Sequence, residues 1–113
     1  KFQLIQPFNP LAVTKQGWAT KQGAFVKNWK RRWFELNNST LCYYVAPQGK
    51  KKGEVNILEC EISLHDGTYD GYSHVFQVTH LKRTFFISAD SGIDKISWVE
   101  TLKTCKYVAQ QKV

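Results

Sequence analysis

The first 52 residues of this 113-residue chain hold a single acidic side chain, Glu35, against ten lysines and arginines. Residues 53–113 carry eight acids and six bases, so a half of net +9 precedes a half of net −2. A one-sided field of this kind raises the local concentration of an anionic partner, whether nucleic acid, an anionic membrane or an acidic protein. Cysteine is equally sparse. Cys42, Cys60 and Cys105 are odd in number and lack CxxC spacing, which argues against a secreted disulfide scaffold and for a reducing, cytoplasmic setting. No run nears the roughly 18 to 20 apolar residues that cross a bilayer, so any membrane association is expected to be peripheral. Internal repeats and low-complexity tracts are missing too. Methionine is absent even from the first position, Lys1, and the chain is expected to be a segment of a longer protein whose other domains are its partners.

The signatures of catalysis are also wanting. His65, His74 and His80 are scattered without metal-ligand spacing, and none pairs with a serine or cysteine as a base with its nucleophile. Asp66, Asp70 and Asp90 fall on expected loops with no partner carboxylate. The expectation is a binding domain with no enzymatic activity, no metal and no cofactor.

What is present is a series of short segments rich in aromatic and β-branched residues, each ended by Gly, Asn, Pro or Asp. Strands are predicted near 17–21, 29–36, 40–45, 53–57, 61–64, 74–79 and 83–88. Asn37-Asn38-Ser39 and His80-Leu81-Lys82 make tight turns, and Pro47-Gln48-Gly49 opens a longer loop. The period then changes. Ser91 offers an N-cap with Asp94 three residues on, and Trp98, Leu102 and Cys105 recur at helical spacing opposite Lys95, Glu100, Lys103 and Lys106. This predicts a mainly β protein, a seven-stranded antiparallel sandwich or barrel, with one amphipathic helix laid across an opening or face of the sheet. Before it, Phe2, Leu4, Ile5 and Phe8 are interrupted by Pro7 and Pro10, which exclude a long helix. Residues 1–13 are read as an extended arm or linker, 14–110 as the domain, and 111–113 as a tail.

The chemistry concentrates between Gly17 and Leu36. In a hairpin, Lys21 ends the first strand, and Lys30 and Arg32, two apart on the second, share a face beside it. Three converging cations repel one another unless an anion binds among them. Arg32 has the planar fork for a phosphate, while the lysines are mobile point charges. Gly23-Ala24 lets the loop backbone approach a bulky anion with its N–H groups exposed. Phe25-Val26 then puts two apolar residues at the loop tip between cations, suited to insertion into a lipid interface.

Gly17-Trp18, Lys21-Gln22-Gly23, Trp29-Lys30-Arg31-Arg32-Trp33-Phe34-Glu35-Leu36, Leu41-Cys42-Tyr43-Tyr44 and the helical Trp98 together resemble the pleckstrin-homology (PH) domain family, over about residues 15–108. Lys21, eight intervening residues, and Lys30-Arg31-Arg32 followed by Trp33-Phe34 resemble the motif of members that bind 3-phosphorylated phosphoinositides. The resemblance implies a partly open barrel of two near-orthogonal sheets closed at one end by the helix. It implies a pocket at the other end for the headgroup of PtdIns(3,4,5)P3 or PtdIns(3,4)P2. Lys21 and Arg32 then contact the 3-phosphate and its neighbour, with Lys30 on the 4- and 5-phosphate side. Tyr43 supplies a hydroxyl, with Tyr44 as the alternative, and Lys52 before Gly53 reaches the 5-phosphate side. Lys27 serves either the headgroup or the membrane, Lys50 and Lys51 the anionic membrane surface, and Lys82 and Arg83 a further polar contact. Trp98 is a packing residue. Phe25 stands where some relatives carry a base, and the linker between strands six and seven is short, so tolerance of a 3,4-bisphosphate follows. The implied function is recruitment of the parent protein to the inner face of the plasma membrane or another phosphoinositide-bearing membrane. Two other readings exist. One is a PH-fold domain that binds a peptide or small GTPase and only weakly associates with anionic lipid. The other, nucleic-acid binding, lacks an aromatic stacking platform and is not expected.

Overall fold

The computed structural model describes residues 13–111. Seven strands, β1 (Val13–Gln22), β2 (Trp29–Asn37), β3 (Thr40–Tyr44), β4 (Lys51–Asn56), β5 (Cys60–Leu64), β6 (Val75–His80) and β7 (Arg83–Ser88), precede helix α1 (Gly92–Gln110). A 3-10 turn, Ile57–Glu59, joins β4 to β5. The strands form one antiparallel sheet in the order β4-β3-β2-β1-β7-β6-β5. Its two halves meet at β1, which pairs with β2 along its whole length but with β7 only at Thr20 and Lys21. The expected pair of sheets is thus a single hydrogen-bonded sheet with a narrow seam. β4 and β5, at its two edges, do not pair.

Period-two alternation sets which residues face inward. On β2, Phe34 and Leu36 are buried, and Leu41, Val55, Val78, Phe85 and Ile87 join them from the other strands. α1 covers this core with Trp98, Val99 and Leu102. The Trp98 ring meets Phe34 edge-on at 6.3 Å, and Lys15 Nζ lies 4.9 Å from its centroid. Trp98 is therefore packed in the core, as the resemblance implies. Ser91 caps the helix as expected, its hydroxyl accepting from the Asp94 N–H at 3.0 Å.

Several boundaries differ from the sequence reading, most of them by a single residue. β1 begins at Val13 rather than Gly17, inside the expected arm, and β4 begins at Lys51 because Lys51 pairs with Tyr44 beyond a register shift at Tyr43. Gln111, expected in the tail, is the C-cap of α1. The rest of the arm, residues 1–12, and residues 112–113 lie outside the described residues. Two helix lysines expected on the water-facing side turn back to the sheet instead: Lys95 donates to the His65 carbonyl at 2.8 Å and Lys106 to that of Cys60. Long aliphatic stems let their ammonium groups satisfy carbonyls at the end of β5 and its start.

A candidate cationic ligand cleft

In the β1–β2 hairpin Lys21 stands directly across from Lys30, and Ala19 from Arg32. Alternation turns Lys30 and Arg32 to the inner side with Phe34, while Arg31, between them, points outward. The three cations open into a cleft of about 420 Å³, lined also by Tyr43, Lys52, Asn28 and the loop residues Gly23 to Val26. Of the six residues that the sequence reading gave to a ligand, Lys21, Lys30, Arg32, Tyr43 and Lys52 line this cleft and Lys27 does not.

Lys21 is buried, with its Nζ 4.8 Å from the Tyr43 ring centroid and 5.3 Å from that of Phe85. Its one hydrogen bond goes to the Gln22 carbonyl at 3.3 Å. Burial, then the charges of Arg83 and Arg32, lower its pKa to about 8. Arg32 donates to the Arg31 carbonyl at 3.0 Å. Among the described residues no carboxylate pairs with Lys21, Lys30, Arg32 or Lys52. Their neighbours are treated differently. Arg31 forms a two-pronged bond with Asp90, at 2.7 and 2.8 Å, and lies against Trp18. Lys51 is paired with Glu54. Arg31 and Lys51 are thus paired with carboxylates, and the four cations that line the cleft are not.

Two glycines shape the walls. Gly53 lies across from Tyr43, and a Cβ there would meet the tyrosine ring. The Gly23 N–H donates to the Asn28 carbonyl at 2.8 Å, closing the β1–β2 loop, and a Cβ on Gly23 would collide with the Val26 carbonyl. At the tip of that loop Phe25 is 97% and Val26 70% exposed.

The other named residues divide. Lys27 is exposed on the same loop but does not line the cleft, and neither do Lys50, Lys51 and Lys82. Arg83 packs its guanidinium 4.0 Å from the centroid of Phe85 and is close enough for its charge to be felt at Lys21. Tyr44, the alternative to Tyr43, is not among the lining residues. Missed from sequence were Asn28 and the packing behind the hairpin. There Tyr69 and Tyr72 bridge across the Asp70-Gly71 turn, and the Trp29 indole donates to Asp70 at 2.7 Å with its ring 4.2 Å from Tyr72. Tyr69 also stacks on Phe86 at 4.2 Å. Asp-Gly between two aromatics was the available hairpin signal. The described residues contain no group of His, Cys, Asp and Glu able to hold a metal ion.

A curled seven-stranded antiparallel sheet covered by one C-terminal helix, with Lys21, Lys30, Arg32 and Lys52 at the mouth of the β1–β2 hairpin, defines a helix-capped β-barrel module. The chain belongs to the PH-domain family, whose model matches residues 13–107. It is 33% identical over 93 residues to mouse pleckstrin homology domain-containing family A member 2, covering 78% of this chain and 22% of that protein. It is 31% identical over 100 residues to the human dual adapter for phosphotyrosine and 3-phosphotyrosine and 3-phosphoinositide, covering 88% of this chain and 35% of the relative. The chain thus spans about a fifth to a third of these proteins. Among solved structures, the C-terminal PH domain of pleckstrin in complex with D-myo-Ins(1,2,3,4,5)P5 superposes with a TM-score of 0.69 at 24% identity, over 83% of this chain and 98% of that one. The C-terminal PH domain of human pleckstrin reaches 0.74 at 22% identity, over 94% and 97%.

Proposed function

We propose that the cleft binds the headgroup of a 3-phosphorylated inositol lipid, PtdIns(3,4,5)P3 or PtdIns(3,4)P2, and so recruits the parent protein to the cytoplasmic face of the membrane that carries it. The observation that carries this reading is the unequal pairing of the cations. Lys21, Lys30, Arg32 and Lys52 converge without a carboxylate, while Arg31 and Lys51, adjacent in sequence, each have one. Holding like charges together is unfavourable, and several phosphates on one ring would relieve it. In this reading Lys21 and Arg32 take the 3-phosphate and its neighbour, Lys30 and Lys52 the 4- and 5-phosphate side, and Tyr43 donates its hydroxyl. Lys27 and Lys50 add attraction to anionic lipid. The name of the human dual adapter, which includes 3-phosphoinositide, and the inositol pentakisphosphate bound by the pleckstrin domain agree with this chemistry. No bond is made or broken; recruitment is the output.

The test is displacement of the domain from vesicles containing PtdIns(3,4,5)P3 by soluble Ins(1,3,4,5)P4, compared for the wild type and Arg32→Ala. Displacement is expected for the wild type, and loss of vesicle binding with an intact fold for the variant. Wild-type binding that the soluble headgroup leaves untouched would take away the basis of the headgroup reading. A lipid panel of the 3,4,5-, 3,4- and 4,5-phosphorylated forms then fixes the phosphate pattern.

A further inference from the structure

Lys21 is the one buried lysine among the described residues. The other lysines that are partly covered are held by acceptors: Lys15 by Asp94 at 3.5 Å, Lys95 by the His65 carbonyl, and Lys106 by the Cys60 carbonyl and Glu61. Lys27, Lys50 and Lys82 stand in water on loops. Lys21 has neither arrangement. Its ammonium makes a single bond of 3.3 Å to a carbonyl, and the rings of Tyr43 and Phe85 take the place of water around it. It nonetheless opens on the cleft of about 420 Å³.

The charged groups around that amine all have one sign. Lys30 and Arg32 come from β2, Lys52 from β4 and Arg83 from β7, with the neutral Tyr43 phenol from β3. A desolvated amine beside other cations is the arrangement that makes a lysine nucleophilic, because both effects disfavour the ammonium and leave the nitrogen its lone pair. With its pKa at about 8, about a fifth of Lys21 is neutral amine at pH 7.4, against about one part in a thousand for an exposed lysine.

We infer that Lys21 is a nucleophilic acylation site whose reagent is an acyl phosphate, a small carboxylic acid joined to phosphate as a mixed anhydride. The Nζ lone pair attacks the carbonyl carbon and a C–N bond forms. The bond from that carbon to the phosphate oxygen breaks, its electron pair leaves with the phosphate, and the Nζ proton passes to water. No oxidant or reductant is needed. Lys30, Arg32 and Lys52 supply what a carboxylate-lined site would lack, a place for the phosphate of the reagent and for the charge it takes on as it departs. The amide product is uncharged, so acylation removes one of the four cleft cations and switches off capture of an inositol headgroup. That consequence rests on the headgroup reading above; the chemistry at Lys21 does not.

The test is incubation of the 113-residue chain with acetyl phosphate, with the adducts located and timed by peptide mass spectrometry. At pH 7.4 Lys21 should be acetylated at least about tenfold faster than Lys27 or Lys82. Its rate should level off above about pH 8, while theirs climbs beyond pH 10. Arg32→Ala should slow the reaction at Lys21 and leave Lys27 and Lys82 unaffected. The acetylated domain should keep its melting temperature and bind PtdIns(3,4,5)P3 vesicles about tenfold more weakly, the loss of one bond to a charged group. Lys21 reacting no faster than Lys27, or an unchanged rate at Lys21 in Arg32→Ala, would overturn the proposal, and vesicle binding that Ins(1,3,4,5)P4 still displaced would leave the headgroup reading standing. Selective acetylation of Lys21 that excess Ins(1,3,4,5)P4 failed to prevent would uphold the nucleophile and bring down the headgroup reading.

Discussion

Gly53 and Tyr43 face one another across the β3–β4 ladder, and a Cβ at position 53 would stand 2.6 Å from Cζ of the tyrosine ring. The glycine thus leaves room for the Tyr43 ring, whose centroid lies 4.8 Å from Lys21 Nζ.

Gly53→Ala is accordingly expected to displace Tyr43 without emptying the core. Affinity for the inositol headgroup should fall about tenfold, the scale of one hydrogen bond to a charged group. Tyr43→Phe should lose a similar factor. The double variant should lose less than the product of the two, because both act through one hydroxyl. Isothermal titration calorimetry with Ins(1,3,4,5)P4 measures all three; fully multiplicative losses would separate the glycine from the tyrosine.

Lys21 gives a pH dependence whose sign follows from its environment. In the free domain burial, followed by Arg83 and Arg32, brings its pKa to about 8 from an ordinary 10.5. A phosphate beside it favours the charged form and raises that value. Binding therefore takes up a proton above about pH 8, and affinity should decline as pH rises through 8 and beyond. The stability of the free domain should have the opposite slope. Its charged lysine is penalised below about 8, and the penalty is relieved between 8 and 10.5, where the unfolded chain holds more protons, so Lys21 adds stability as pH rises there. Calorimetry at pH 8 to 9 in buffers of different ionisation enthalpy reads the proton directly. Lys21→Arg should bind with no proton uptake, and an unchanged uptake in that variant would assign the titration elsewhere.

Arg31 and Arg32 are neighbours with different duties, and substitution should separate them. Arg31→Ala removes a two-pronged bond to Asp90 and a stack on Trp18, both half-exposed, so a cost of up to about 1 kcal/mol is expected. That lowers the melting temperature by a few degrees in a domain of this size. Headgroup affinity should change less than twofold. Arg32→Ala should do the reverse, keeping the melting temperature and losing the ligand. Differential scanning calorimetry and a binding titration on both variants decide it, and a large affinity loss for Arg31→Ala would contradict the outward assignment.

The parts of this molecule legible in sequence are those governed by short periods. The two-residue period of β2 put Lys30 and Arg32 on one face, and the helical period put Trp98 and Leu102 against the sheet. Ser91 and Asp94 marked the helix start because a cap is a local bond. Tyr43 and Lys52 came from likeness to a family rather than from any period. What stayed hidden depends on long-range closure. Arg31 meets Asp90 59 residues away, and Trp29 meets Asp70 41 residues away, distances at which no local pattern carries information. Lys51 and Lys52 look alike in sequence, and only the register of β4 against β3 gives one of them Glu54 and the other the cleft. Lys95 and Lys106 were misplaced because a helical wheel does not include the reach of a lysine toward a neighbouring carbonyl.

Three consecutive cations in β2 are sorted only by the direction each side chain takes from the strand. Shift the ladder by a single residue and Arg31 would enter the cleft, while Lys30 and Arg32 would turn out toward Asp90, with the same composition and the same net charge. On the headgroup reading proposed above, ligand selectivity is encoded in hairpin phase rather than in residue inventory. A one-residue deletion within the Gly23–Asn28 loop that slid β2 along β1 would therefore be more damaging to binding than the loss of any single lysine.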